Sequence, residues 1–229
     1  MKAKNVFLKS PKFFTTAFFI VVLAILFATG QVVTIVRTGS SNAQDSFPAS
    51  GLDFNPTAYV QRIWPTQVVP AARDNSVALT SLLADLANNN TATLKTYDHQ
   101  VSGSDNFLVK FSGVVEGDDM SSPIGTMTVN VMDGTKNIPV EVSIGPVILG
   151  TSLRDSLKFI SFEEFLNQVQ YGNVADQLNK TAVSEVVAPL NITALKGKAI
   201  TVYGAYTLDS DDPHSITVTP IIITEGTAG

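Results

Sequence analysis

TMTVNVMDGTKNIPVEVSI, residues 126–144, is the stretch that decides the fold predicted from this sequence. Apolar and polar residues alternate on both sides of Asp133-Gly134, a dipeptide typical of tight hairpin turns. Because successive side chains of a strand point to opposite faces of a sheet, each run presents one apolar face. The stretch therefore predicts a β-hairpin that buries one face in a core.

The segment after the hairpin, SIGPVILGTSLRDSLKFISFEEFLNQ, covers residues 143–168. Gly145-Pro146 should end the strand, because proline has no N–H to donate and restricts the residue before it. We expect the following loop to pack across one end of the sheet, since apolar side chains gain free energy on burial. Four of its side chains are expected to be buried: Ile144, Val147, Ile148 and Leu153.

The same segment predicts a helix that begins at Ser161. Ser161 and Glu164 have the spacing of a capping box, in which each side chain bonds the other residue's backbone N–H. The apolar residues that follow have helical spacing and predict the buried face of this helix. That face comprises Phe162, Phe165, Leu166 and Val169. Helical character continues through residues 174–186.

One further strand precedes the hairpin and two follow the helix. They are FLVKFSGVVEG (107–117), KAITVYGAYTL (198–208) and SITVTPIIIT (215–224). The order strand, strand, strand, helix, strand, strand is that of an OB-fold. The fold class predicted is therefore mainly β with helices, an OB-fold-like five-stranded barrel (β-β-β-α-β-β) over residues 101–229. Gly113 and Gly204 could provide bends at its corners.

Residues 52–100 are predicted to form a helical N-terminal segment. Asn55 is a suitable N-cap, and Pro56 fits the first helical position. Tyr59, Val60 and Ile63 then form one apolar face, and Pro65 should end or kink the helix. Apolar spacing predicts a second helix over residues 76–86.

Residues 13–36 form an uncharged, apolar run after a basic stretch of residues 1–12. Its 24 residues would extend about 36 Å as a helix, enough to span a bilayer. The lysines predict a cytoplasmic N-terminus and an extracytoplasmic domain, with residues 37–51 as a polar linker. A cleaved signal peptide ending at Ala43 is the alternative, but the length of the run favours a retained, single-pass anchor.

The composition excludes several functions. The chain has 15 Lys and Arg and 20 Asp and Glu; five of the basic residues and none of the acidic ones lie in residues 1–43, so the remainder carries a net charge of −10. An acidic domain repels phosphate backbones, so we predict no nucleic-acid partner. The chain has no Cys and two separate His residues, so no metal site and no cofactor are predicted. The acidic loop at Asp209 is expected to be a solvated turn rather than a calcium site.

Several stretches together are similar to one bacterial family. They are FNPTAYVQRIWPTQVVPAA, NFLVKFSGVV, GKAITVYGAYT and, most specifically, IGPVILGTSLRD with the later Asn167-Gln168 pair. This family is that of predicted periplasmic lipoproteins with domain of unknown function 2291, and the similarity covers roughly residues 54–220. It implies an extracytoplasmic protein with an OB-like barrel and a genetic association with sugar ABC transporters, without a known activity. Family members commonly carry a lipobox Cys where this chain has Gln31, which favours the anchor.

The candidate ligand-binding residues are Thr151, Arg154, Asp155, Asn167 and Gln168; no catalytic residue is predicted. In one interpretation they line the mouth of the barrel, where the guanidinium would bind an anion or sugar hydroxyls. In the other, which we favour, Arg154 pairs with a carboxylate or carbonyls and Asp155 caps a short turn. Asn167 is then expected to bond backbone groups of the loop.

Three functions are compatible with these observations. The first is a non-enzymatic, membrane-anchored binding or accessory module of the bacterial envelope, working beside a sugar ABC transporter or binding a small carbohydrate. The second is an enzyme that acts on a small carbohydrate, since fold alone does not decide function. The third is a structural scaffold of the envelope. The absence of nucleotide-binding and hydrolase motifs favours the first.

Overall fold

The computed structural model describes residues 54–88, 91–209, 212 and 215–226. The predicted anchor at residues 13–36, the linker at 37–51 and Gln31 lie outside these residues. Within them, no helix has both the length and the apolar character needed to cross a membrane.

Strands in the described ranges belong to one sheet. Its longest members are the strand before the hairpin, the hairpin itself and the two C-terminal strands. In chain order the strands are β1 (Val77–Ala78), β2 (His99–Val101), β3 (Ser104–Asp119), β4 (Thr126–Asp133), β5 (Lys136–Ser143), β6 (Ala199–Thr207) and β7 (Thr217–Glu225).

The pairings of the five long strands return to their starting point. β3 pairs antiparallel with β4, and β4 with β5. β5 pairs parallel with β7 over two residues, β7 pairs antiparallel with β6, and β6 pairs antiparallel with β3. The predicted hairpin is confirmed: Asp133 faces Lys136, and Gly134 has a φ of 60°. Glycine adopts that left-handed conformation without strain.

The alternation of the hairpin does produce one buried face. Inward side chains of all five strands form an inner core, to which each of the valines Val109, Val129, Val140, Val202 and Val218 contributes a side chain of 0% exposure. The two glycines predicted as bends also lie close to neighbouring backbone. A Cβ on Gly113 would overlap the backbone of Asn130, and one on Gly204 would overlap the carbonyl of Thr219. Both glycines therefore allow neighbouring strands to approach closely, and at Gly204 the strand register also shifts.

The N-terminal helices begin as predicted. In α1 (Pro56–Ile63) the side chain of Asn55 accepts a hydrogen bond from the backbone N–H of Ala58 at 3.1 Å. Pro65 ends the α-helix but not the helical path, which continues as a π-helical turn (Trp64–Val68) and then as α2 (Val69–Asn75). The wider turn tolerates a proline that has no N–H to donate.

The predicted helix over residues 76–86 begins too early. Val77 and Ala78 instead form β1, parallel to β3, and α3 (Leu79–Ala87) starts after them. Val77 is buried in the inner core. Its apolar character is compatible with a helix as well as with a strand, so it could not distinguish them. A further helix, α4 (Thr91–Tyr97), was not predicted.

The helices cover part of the outside of the sheet and form an outer core there. Leu108 of β3, Ala205 of β6 and Ile221 of β7 provide the sheet side of this core. Residues of α1 and of the long helix described below provide the helical side.

The helix predicted from Ser161 is wrong in its start and in its buried face. The chain instead forms α5 (Ser152–Asp155), a 3-10 turn (Phe162–Glu164), α6 (Gln168–Thr181) with a π-helical end (Ala182–Val187), and α7 (Ile192–Leu195). Phe165 is extended and buried, which interrupts the helical period. The remaining predicted face residues are exposed: Phe162, Leu166 and Val169. The hydroxyl of Ser161 bonds Glu163 rather than forming the predicted capping box.

Candidate functional site

The loop after β5 is fixed to the β3–β4 connection by backbone hydrogen bonds. The N–H groups of Ile144 and Gly145 both donate to the carbonyl of Gly125, at 3.0 and 2.9 Å. A Cβ on Gly145 would overlap backbone atoms of Gly125 and Pro123, so the approach requires glycine. Burial is confirmed for Ile144, and equally for Ile148 and Leu153.

The prediction that Val147 is buried is wrong, because 44% of this residue is exposed. Its backbone N–H donates to the carbonyl of Pro123 at 3.0 Å. The hydrogen bond holds the main chain against the neighbouring loop and leaves the side chain outside.

Arg154 and Asp155 form a buried ion pair within α5. The Nε and Nη2 atoms of Arg154 each lie 2.7 Å from Oδ1 of Asp155, and both side chains are less than 10% exposed. Nη1 of Arg154 donates to the backbone carbonyl of Tyr171 in α6 at 3.2 Å. The guanidinium also lies on the Tyr171 ring, 3.6 Å from its centroid. Burying such a pair requires this degree of mutual satisfaction.

The other oxygen of the carboxylate is also used. The hydroxyl of Thr151 donates to Oδ2 of Asp155 at 2.6 Å, and the hydroxyl of Tyr171 lies 3.4 Å from Oδ1. Asp155 therefore bonds the side chain of Thr151 and does not cap the turn as expected, because no side chain caps the backbone of α5. Nδ1 of His99 donates to the backbone carbonyl of Asp155 at 2.6 Å, which ties β2 to α5.

Tyr171 is the centre of this group, which we call the Arg154 cluster (Thr151, Arg154, Asp155 and Tyr171). Burial raises the pKa of Tyr171, while the charge of Arg154 lowers it in part. Its phenol therefore stays protonated and neutral at physiological pH. The ring also contacts Phe162 and Phe165, at centroid distances of 5.6 and 5.5 Å.

Asn167 and Gln168 do not join the Arg154 cluster. Both are exposed at the start of α6. The side chain of Asn167 caps its own helix, accepting from the backbone N–H of Gln170 at 3.0 Å. The expected bonds to the loop are therefore not made by Asn167.

Asn179, which the sequence interpretation missed, makes those bonds instead. Its amide donates to the carbonyls of Ile148 and Gly150, at 3.2 and 2.9 Å, and only 5% of the residue is exposed. It stands in a buried face of α6 between Ala175 and Ala182. A lone amide within an apolar helical face was the signal that could have identified it.

The first helix reaches the same region through aromatic contacts. Phe165 contacts both Phe54 and Tyr59, with centroid distances of 5.5 and 5.6 Å, and those two rings also contact each other. Burial and the charge of Glu164 raise the pKa of Tyr59 to about 12. The aromatic side chains join α1 to the segment that precedes α6.

The Arg154 cluster is a structural group rather than an open binding site. Its cation, carboxylate and hydroxyl groups satisfy one another inside the protein, and this arrangement holds the loop after β5 against α6. Among the residues that the structure describes, no group of three or more His, Asp or Glu side chains could hold a metal ion. In the acidic loop, the N–H of Asp212 donates to Asp209 at 3.3 Å, while residues 210–211 and 213–214 lie outside the described ranges.

The fold is similar to that of a solved protein. A crystal structure of an OB-fold protein from Thermotoga maritima MSB8, at 1.90 Å resolution, matches with a TM-score of 0.59. It has 17% sequence identity and covers 76% of this chain and 99% of its own. At that identity the similarity concerns the fold alone, that of a mixed helix and sheet protein of the OB-fold type.

The sequence comparison then identifies the family. The model of the family described as predicted periplasmic lipoprotein (DUF2291) matches residues 20–224. The chain belongs to this family, as its motifs indicated. The family description supports a membrane-associated location outside the cytoplasm and gives no activity. No curated protein sequence matches the chain.

Proposed function

We propose that this protein is a non-enzymatic accessory module of the bacterial envelope, which binds a partner or a small molecule outside the cytoplasm. The family description supports the location. In this proposal residues 13–36 form a single transmembrane anchor, since the chain has no Cys to carry a lipid. The sheet acts as an OB-fold-like barrel, supported by strand pairings that return to their start.

The proposal rests on one observation, that the charged and polar groups of the Arg154 cluster bond one another. An enzyme that used Arg154 and Asp155 would need them to converge on an open concave pocket. Here each charged group faces the other at 2.7 Å, and both are buried. The residues that are most distinctive in the sequence are thus engaged in holding the loop and helix together, which favours a scaffold with a binding role.

The partner we propose is a sugar ABC transporter, which follows from the family resemblance. The test is affinity capture with the full-length protein, solubilised from its native membrane in mild detergent. Transporter subunits should be enriched over a capture with an unrelated protein that carries the same tag and anchor. Isothermal titration calorimetry with simple sugars then tests direct binding.

Membrane attachment is tested separately by carbonate extraction. The protein should remain in the membrane fraction at alkaline pH, because an apolar span is held by the bilayer rather than by charge. Mature protein that begins at Gln44 in the soluble fraction would contradict the anchor. Absence of both transporter capture and sugar binding would contradict the accessory role.

A further inference from the structure

A cleft of about 410 Å³ lies on the outside of β3 and β6, and no residue of the Arg154 cluster lines it. The helical layer covers Leu108 and Ala205 of these strands but leaves the next outward residues, Lys110 and Ser112, exposed. The volume is at the low end of the range of about 300–1,000 Å³ that is typical of ligand sites. The cleft therefore has the size for one small molecule.

The floor of the cleft is a block of four polar side chains. Lys110 of β3 faces Tyr203 of β6, and Ser112 faces Thr201 in the next outward pair. The hydroxyls of Ser112 and Thr201 lie 2.7 Å apart and bond each other. Directly opposite residues in an antiparallel pair have Cβ atoms close together, so these four side chains stand beside one another on the same face of the sheet.

A local separation of strands produces the walls. β3 pairs with β1 at Val109 and Lys110, and with β4 only from Val114 onward. Between these pairings, the start of α3 at Thr80 borders the cleft on one side and Met132 on the other. Met132 is 60% exposed. A thioether at that position offers an apolar contact beside the polar floor.

Lys110 carries the one charge among the described residues that line the cleft. This cation lies on a chain with a net charge of −5. An ammonium on a flexible stem can contact a carboxylate or a phosphate as a point charge. Serine, threonine and tyrosine hydroxyls both donate and accept hydrogen bonds, as sugar hydroxyls do. A neutral apolar ligand would cover the Lys110 ammonium without offering it an acceptor, which costs free energy.

We propose that this cleft binds a small polyhydroxylated anion, with its carboxylate or phosphate on Lys110 and its hydroxyls on Ser112, Thr201 and Tyr203. The inference rests on the proposed binding role and names a ligand class and a place for it. The site uses the first and fourth long strands of the sheet. It thus differs from the face of the second and third strands that many OB-folds use.

The test is calorimetric titration of the full-length protein in detergent with gluconate, glucose 6-phosphate, glucose and inorganic phosphate. One of the two sugar-derived anions should bind at least roughly tenfold more tightly than glucose, since hydrogen bonds to charged groups are worth about 1.5–3 kcal/mol. The preferred anion tells a carboxylate ligand from a phosphate ligand. Lys110→Met should remove this preference, and Ser112→Ala should weaken binding of the preferred anion while leaving the preference intact.

Lys136→Met is the matched control, because Lys136 is an exposed lysine in the hairpin that does not line the cleft. It should leave all affinities unchanged. Equal binding of glucose and both anions, inorganic phosphate binding as tightly as glucose 6-phosphate, or unchanged affinity in Lys110→Met would overturn the proposal. If Lys110→Met lowers the melting temperature, Ser112→Ala becomes the test of the site, and unchanged binding of the preferred anion by that variant would overturn the proposal. If these titrations fail while transporter subunits are still captured, the cleft is not the binding site, and the proposed accessory role is not contradicted.

Discussion

The guanidinium carbon of Arg154 lies 3.6 Å from the centre of the Tyr171 ring, so a loop before α6 is held against the helix by a cation on an aromatic face. The same guanidinium donates twice to Asp155, at 2.7 Å. A cation–π contact is worth more where water is excluded. The two residues are 17 positions apart, and their contact joins α5 to α6.

Replacing Arg154 by Met should lower the free energy of unfolding by roughly 1–3 kcal/mol, because the carboxylate of Asp155 would stay buried without its partner. Urea unfolding followed by circular dichroism measures this. The double variant Arg154→Met with Asp155→Asn should recover part of the loss, since the buried charge is then removed. Lys158→Met is the control, because Lys158 is exposed and makes one hydrogen bond at 3.2 Å. Equal stability of Arg154→Met and wild type would show that the cluster does not hold the fold.

Asn179→Ala should lower stability by roughly 1–3 kcal/mol, because the carbonyls of Ile148 and Gly150 would lose their donor. Asn173→Ala, an exposed amide on the same helix, should be neutral or slightly stabilising, since alanine is the better helix former. Thermal unfolding of both variants measures the difference. Equal effects of the two substitutions would mean that the loop does not depend on Asn179.

Gly145→Ala should destabilise the protein by roughly 1–3 kcal/mol, because the added methyl group would overlap backbone atoms that cannot move freely. Gly172→Ala should do the opposite. A Cβ at Gly172 meets no atom within 4 Å, and alanine in a helix interior is favoured over glycine by roughly 0.5–1 kcal/mol. Denaturant midpoints of the two variants provide the measurement. A stabilising Gly145→Ala would refute the close approach of the two loops.

The pH dependence of stability should change on replacing Asp98 by Asn. Burial, followed by the charge of Asp105, raises the pKa of Asp98, against the lowering effects of the hydrogen bond from the Asn106 N–H and, last, of His99. A raised native pKa means that the native state binds the proton more tightly than the unfolded state does. The stability that Asp98 contributes is therefore fully present at acid pH and is lost as the pH rises through the raised pKa. Asparagine keeps the oxygen that accepts the N–H of Asn106 at 3.0 Å.

Asp98→Asn should therefore have the higher melting temperature at pH 7, and its advantage should shrink as the pH falls to about 3.5. Scanning calorimetry across this range measures it, with the exposed Asp176→Asn as control. A lower melting temperature for Asp98→Asn at pH 7, or an advantage that does not depend on pH, would contradict the pairing of Asp98 with Asp105.

Local signals predicted the strands well and the helix after β5 poorly. The hairpin is encoded by alternation and by Asp133-Gly134, which act within a few residues. Phe162, Phe165 and Val169 also have helical spacing, but they do not form one face of a helix. Of the three, Phe165 alone is buried, where it contacts the ring of Tyr171. β1 has only two residues, too few to show a strand period.

The candidate site was predictable only where its members are close in the chain. Thr151, Arg154 and Asp155 lie within one turn, so their association could be foreseen from spacing. Tyr171 and Asn179 join through packing of α6 against the loop, and no local pattern encodes those contacts. The cleft at Lys110 depends on where β3 leaves β4, which only the strand register shows.

The most direct test of the account compares Arg154→Met with Lys110→Met in two assays, urea unfolding and titration with the anion that the wild type prefers. We expect Arg154→Met to lose roughly 1–3 kcal/mol of stability and to keep the wild-type dissociation constant under conditions where it is folded. Lys110→Met should keep its stability and bind at least roughly tenfold more weakly. The reverse result, with Arg154→Met stable but unable to bind and Lys110→Met unchanged in both assays, would contradict the account and place the ligand at the Arg154 cluster.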